Sequence, residues 1–211
     1  MIEVELKARL KDFEATRAVL EAAGAVFKGE TVKRDMYYAL DGKRPEEVDF
    51  AAPITNGPCS RGFDHFFGIS ASLDMPPYVY VENDRVTALP DRQDPGCDLP
   101  ASRSAGDVGF RFWRPGPIAP DFRHEDVLPT LTRRAEGWIE RQSSSGKPFF
   151  LYFPLPAPHT PILPAAEFQG RSGTNLYGDF CLMVDDVVGR IMAALDRVGA
   201  ASNTIILFAA D

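Results

Sequence analysis

The sequence has little cysteine: Cys59, Cys97 and Cys181 are the three among 211 residues, and no two stand in C-x-x-C spacing. So few and so scattered, they argue against a disulfide scaffold and against a zinc site. Positive charge is also short. Lys and Arg total 23 against 30 Asp and Glu, a formal net charge of -7. No basic stripe is present to neutralise phosphates, which excludes a general nucleic-acid binder. No apolar run approaches the ~20 residues of a membrane span, and Met1-Ile2-Glu3-Val4-Glu5 lacks the pattern of a secretory signal. From these absences the chain is expected to be cytoplasmic, with no nucleic-acid or membrane partner. Internal repeats and low-complexity tracts are absent as well.

What is present is ordinary for a globular protein: 45% apolar and 25% charged residues, with length for one sizeable domain or two small ones. Residues 1–40 open with alternation. Ile2, Val4 and Leu6 share one face of a predicted strand over 1–9, opposite Glu3, Glu5 and Lys7. Asp12 then caps a predicted helix with Phe13, Val19, Leu20 and Ala23 on one side, stopped by Gly24. Residues 41–125 are rich in Pro, Gly, Asp and Arg and poor in periodic runs, so a loop-rich, less compact region is expected. Residues 126–211 are regular. Asp126 is expected to cap a helix with Leu128, Leu131, Ala135, Trp138 and Ile139 in one stripe and Pro129 in its first turn. Ser143-Ser144-Ser145-Gly146 breaks it.

Pro148-Phe149-Phe150-Leu151-Tyr152-Phe153 then reads as an apolar strand running into the proline-stiffened loop Pro154-Leu155-Pro156-Ala157-Pro158-His159-Thr160-Pro161, which presents one histidine. A helix from about 179 to 197 carries the stripe Phe180, Val184, Val187, Ile191, Leu195 and Val198 and is closed by Gly199. A second apolar strand over 204–209 delivers Asp211. Strand, helix and strand in this order predict two parallel strands joined by a right-handed crossover. Both strands are apolar on both faces, as strands between helix layers are. The expected class is α/β. Ligands gather outside the carboxyl ends of parallel strands, so His159 and Asp211 are expected on one rim. There His159 would serve as acid, base or anion ligand, and Asp211 as a metal ligand. The plain alternative leaves a hydrogen-bonded loop histidine and a solvated aspartate.

Four ordered blocks point further. They are Asn56-Gly57-Pro58 with Arg61-Gly62-Phe63-Asp64 and Gly68-Ile69-Ser70-Ala71-Ser72-Leu73-Asp74-Met75-Pro76-Pro77-Tyr78; Pro148-Phe149-Phe150-Leu151-Tyr152 with Ala157-Pro158-His159-Thr160-Pro161; Tyr177-Gly178-Asp179; and Asn203-Thr204-Ile205-Ile206-Leu207-Phe208 ending in Asp211. Through them residues 41–211 resemble an internal part of the type I sulfatases, the arylsulfatase family with an alkaline-phosphatase-like α/β fold. The resemblance implies an incomplete fold of that kind, parallel strands under covering helices, and sulfuric ester hydrolysis on a sulfated small molecule or carbohydrate. It implies that His159 is catalytic and contacts the substrate sulfate, that Ser72 contacts it too, and that Asp211 is a ligand of a calcium ion. His65 and His124 match no catalytic position and are expected to be surface or packing residues. Family members are often periplasmic or secreted.

The departures bear on activity. The family's nucleophile is a formylglycine made from Cys in C-x-P-x-R, and Cys59-Ser60-Arg61 lacks the proline and the spacing. An upstream aspartate pair and a Gly-Lys-Trp-His segment are absent, and the Asn expected after Asp211 is not in the sequence. The chain is therefore expected to be inactive by itself, since losing a covalent nucleophile alone commonly costs orders of magnitude in rate. A truncated or chimeric reading frame is the expected origin.

Residues 1–40 resemble a different family. Glu3-Val4-Glu5-Leu6-Lys7, with Asp35-Met36-Tyr37-Tyr38, is similar to the short βα start of CYTH domains, the class IV adenylate cyclases and triphosphate tunnel hydrolases. That resemblance implies an alternative site in which Glu3 and Glu5 hold a divalent ion and Lys7 a phosphate. A third reading is a non-catalytic module whose exposed sheet edge pairs with another chain.

Overall fold

The computed structural model describes residues 12–24, 26, 48–100 and 110–209. Two compact units divide it, Met1–Tyr38 and Ala39–Asp211. In the first, helix α1 spans Phe13–Ala22. Asp12 caps it as the sequence predicts, its carboxylate accepting the Ala15 N–H at 3.0 Å. Gly24, at φ 91°, supplies the left-handed turn that ends it. Val19 and Leu20 are exposed. The strand predicted over 1–9 lies outside the described residues.

The second unit differs most from expectation where the sequence looks loosest. Between residues 48 and 125 the chain builds three small antiparallel ladders. Strands β1 (Phe67–Ile69), β2 (Tyr80–Glu82) and β3 (Arg85–Val86) form one sheet; β4 (Arg92–Asp94) pairs with β7 (Gly116–Ile118), and β5 (Cys97–Pro100) with β6 (Phe110–Trp113). Leu73, Tyr78, Val79, Tyr80, Val81, Ile118, Ala119 and Phe122 from this region are all buried, so short strands and the loops between them carry a core. The reason it reads as loop is strand length. Strands of two to four residues are too short to display period-two alternation, and their turns use residues such as Asn83 (φ 57°) and Gly96 (φ 79°) that also mark coil.

Gly96 and Asp94 show how such a turn is held. The Asp94 carboxylate accepts the Gly96 N–H at 2.7 Å and the Trp113 indole N–H at 2.9 Å, tying the β4–β5 turn to β6. Trp113 in turn stacks on His124, 4.2 Å between ring centroids, while Tyr78 and Phe122 meet the same imidazole edge-on at 4.5 and 5.4 Å. Burial in this aromatic cage pushes the His124 pKa down. His124 is thus a packing residue, as expected.

Helix α2 (Val127–Ser143) follows a 3-10 turn at His124–Asp126. Its buried stripe is Val127, Leu128, Leu131, Thr132, Ala135 and Ile139, while Trp138 is half-buried. Asp126 stands at the N-cap but makes no capping bond there; its carboxylate pairs with Arg123 at 3.6 Å instead. The intervening 3-10 turn, with Asp126 itself in a helical conformation, removes the extended geometry that a side-chain cap requires. Helix α3 (Leu176–Arg197) starts three residues earlier than expected, because Asn175 caps it through the Gly178 N–H at 2.9 Å. Gly199, at φ 69°, terminates the run as predicted. The two helices pack through Ile139, Ala194 and Leu195 and are clamped by Arg190, whose guanidinium gives two hydrogen bonds to Glu136 at 3.1 and 2.6 Å.

The predicted parallel pair does not form. Among the described residues every ladder is antiparallel, and neither 148–153 nor 204–209 belongs to one. Burial of 148–153 nonetheless alternates as in a strand. Phe149, Leu151 and Phe153 turn toward the helices, with Trp138 and Phe149 edge-to-face at 5.2 Å, while Phe150 (75% exposed) and Tyr152 (67%) face outward. The apolar pattern is genuine, but a parallel ladder needs neighbouring strands, and the described chain sets none beside these two segments.

Replacing Ile139, which is 1% exposed, with Ala is expected to lower unfolding free energy by about 2–5 kcal/mol, read from urea denaturation. His124 predicts a pH effect. Its folded pKa lies below the ordinary ~6.5 of an unfolded histidine, so as pH falls below that value only the unfolded chain gains the proton, and stability declines. Melting curves from pH 8 to pH 5 are expected to show His124→Phe losing less of its melting temperature on acidification than wild type.

Candidate functional site

A cleft of about 1180 Å³ opens between the β1 sheet, helix α2 and the 148–160 segment. Ser72 and His159, far apart in sequence, both line it. Ser72 follows β1 in the turn where its carbonyl accepts the Met75 N–H at 3.0 Å, and its hydroxyl has no protein partner among the described residues. His159 is exposed in the proline-rich loop. Its Nδ1 lies 2.7 Å from the Thr160 carbonyl. A carbonyl only accepts, so Nδ1 carries the hydrogen, and Nε2 is the nitrogen left without a protein partner among the described residues.

Three residues that the sequence reading did not single out join them. Arg61, Arg134 and Arg141 line the same cleft, as does His65, which was expected to be a surface or packing residue. Arg134 lies over the Phe67 ring at 4.3 Å and 3.5 Å from Glu82; Arg61 and Arg141 make no ion pair among the described residues. Among the described residues no Asp or Glu lines the cleft. In a chain of net charge -7, a wall with three guanidiniums and, among the described residues, no carboxylate concentrates positive potential where an anion would enter. A sequence signal existed for two of them: Arg134, Trp138 and Arg141 stand at i, i+4 and i+7, one helical face. The stripe was read for its apolar members alone.

The wall nearest α3 is shaped by Asp179. Buried at 2% exposure, it accepts backbone N–H bonds from Ser172 at 2.8 Å and Gly170 at 2.7 Å. Those donors hold its carboxyl below the usual carboxylate range. Gly178 beside it has no room for a Cβ, which would collide with the Thr174 hydroxyl. Tyr177, the first residue of that block, lines the cleft.

Asp211, Glu3, Glu5 and Lys7 lie outside the described residues. Cys59 sits in a 3-10 turn with Sγ 3.7 Å from the Asn83 side-chain oxygen, and like Cys97 and Cys181 it is free. Among the described residues no three His, Cys, Asp or Glu side chains gather as a metal cluster. Among the described residues the cleft lining thus supplies none of the carboxylate oxygens that a calcium ion prefers.

Comparison with known proteins gives this geometry a family. A family model described as Sulfatase matches residues 38–211. An N-acetylgalactosamine-6-O-sulfatase of Bacteroides thetaiotaomicron is 31% identical over 78% of this chain and 36% of its own length. The mouse N-acetylgalactosamine-6-sulfatase is 32% identical over 73% of this chain and 27% of its own, and human arylsulfatase A is 30% identical over 73% and 29%. A solved structure, titled for the metabolism of multiple glycosaminoglycans by Bacteroides thetaiotaomicron, superposes with TM-score 0.59 at 27% identity, covering 74% of this chain and 37% of that one. The chain belongs to the sulfatase family. It spans about a third or less of the length of the curated relatives it matches. Because the family match begins at residue 38, the CYTH resemblance of residues 1–40 draws no support from it.

Proposed function

We propose that residues 38–211 supply one wall of a sulfate-ester hydrolase site acting on a sulfated carbohydrate, and that this chain by itself binds without turning over. The observation that supports the reading is the meeting of Ser72 and His159 in a cleft whose charged lining, among the described residues, is arginine without a carboxylate. In that arrangement Arg61 and Arg141 offset the charge of the sulfate, the Ser72 hydroxyl donates to one of its oxygens, and His159 passes a proton to the departing sugar alkoxide. The sugar class is favoured by the N-acetylgalactosamine-6-sulfatases among the relatives. Attack on sulfur needs a nucleophile, and no C-x-P-x-R segment occurs in the sequence. A calcium ion with Asp211 as one ligand is what the family resemblance implies beside these residues, where it would offset the sulfate charge.

N-acetylgalactosamine 6-sulfate titrated into the purified chain is expected to bind. His159→Ala should weaken it by about ten- to a hundredfold, the loss of one hydrogen bond to a charged group being worth ~1.5–3 kcal/mol. Equal affinity of wild type and variant would sink the assignment of His159. The proposed inactivity would be overturned by calcium-dependent release of sulfate from an aryl sulfate.

A further inference from the structure

Asn56 is followed by Gly57, and both line the cleft together with Arg61. The other asparagines precede Asp84, Leu176 and Thr204, and two of them have committed side chains. Asn83 accepts the Phe66 N–H at 3.1 Å through its side-chain oxygen, and Asn175 caps α3 through the Gly178 N–H at 2.9 Å. Asn56 differs on each count. It is exposed, and among the described residues neither its carboxamide nor the Gly57 N–H has a hydrogen-bond partner. The turn around it is held at both ends. The Ile54 N–H donates to the Asp84 carbonyl at 2.7 Å, and Ser60 donates to the Gly57 carbonyl from its N–H at 3.1 Å and its hydroxyl at 2.7 Å. Gly57 has no Cβ to shield its nitrogen from the preceding side chain. An uncommitted carboxamide therefore stands next to an uncommitted backbone nitrogen.

We propose that Asn56 is a site of spontaneous deamidation, and that its conversion attenuates the cleft for anions. The Gly57 nitrogen gives its proton to hydroxide and attacks the Asn56 Cγ. The new N–C bond closes a succinimide ring as the carboxamide C–N bond breaks, and ammonia leaves with a proton from water. Water then adds to either ring carbonyl and opens the ring to aspartate or isoaspartate. The chain, water and hydroxide are the whole set of reactants, so the converted fraction records the age of the molecule. Either product adds a negative charge to a lining that, among the described residues, has Arg61, Arg134 and Arg141 and no carboxylate. A carboxylate there offsets the positive potential that draws an anion in. Isoaspartate also lengthens the main chain of the turn by a methylene. The modification stands apart from the sulfate reading; the attenuation rests on that reading.

The test incubates the full 211-residue chain in mildly alkaline buffer and follows each asparagine by peptide mass spectrometry. Asn56 is expected to gain the mass of amide-to-acid conversion ahead of Asn83, Asn175 and Asn203, with isoaspartate in the product. Gly57→Ala should slow the conversion severalfold by shielding the nitrogen. For the effect of charge, inorganic sulfate is titrated into Asn56→Gln and Asn56→Asp. The Asp variant should bind severalfold more weakly at an equal melting temperature, and added sodium chloride should narrow the gap. Two results would overturn the proposal: conversion at Asn56 no faster than at the other three asparagines, or equal sulfate affinity of the Gln and Asp variants. Sulfate binding by neither variant would remove the sulfate reading and the attenuation with it, while the mass record would still decide the modification.

Discussion

Helix α2 gives a side chain to each of the three apolar clusters, and the rest of the unit depends on that. Val127 and Leu131 pack into the ladder region beside Tyr78 and Phe122, Leu128 into the cluster of Phe168 and Phe180, and Ile139 against Ala194 and Leu195. The clusters are separate, yet a single rigid rod of 17 residues touches them all. Its outward arginines are consequently held at fixed heights along the cleft wall. The Glu136–Arg190 clamp then sets where α3 lies along it, with the surface-exposed partner contributing position more than stability.

How much of this was legible in the sequence follows from which forces are local. α2 and α3 were readable because amphipathic helices carry their burial pattern within one continuous stretch, as Leu128, Leu131, Ala135 and Ile139 do. Gly199 was readable because a left-handed stop is a single-residue property. The ladders were not, since Val81 against Val86 or Gln93 against Pro117 are pairings of two- and three-residue pieces. The segment at 148–153 is the reverse case. Its composition declares a strand correctly by pattern, while pairing is a property of neighbours that composition does not reveal.

The site was legible in a different way. Ser72 and His159 were named through family resemblance, and spacing alone left His159 open to a plain reading as a loop histidine. Their placement on one cleft gives that reading a physical basis without testing their roles. The arginines went unnoticed because charged residues on a helix usually serve solvation. What marks these three is the company they keep, a cleft with no lining carboxylate among the described residues of an acidic chain. Sign uniformity of that kind is a property of the folded surface.

The bond from His159 Nδ1 to the Thr160 carbonyl has a consequence for anion capture. With its one hydrogen committed to that carbonyl, a neutral His159 turns a lone pair outward and has nothing to offer a sulfate oxygen. It becomes a donor at Nε2 only as the imidazolium. The backbone bond thus fixes the tautomer of the neutral ring and leaves Nε2 as its one acceptor.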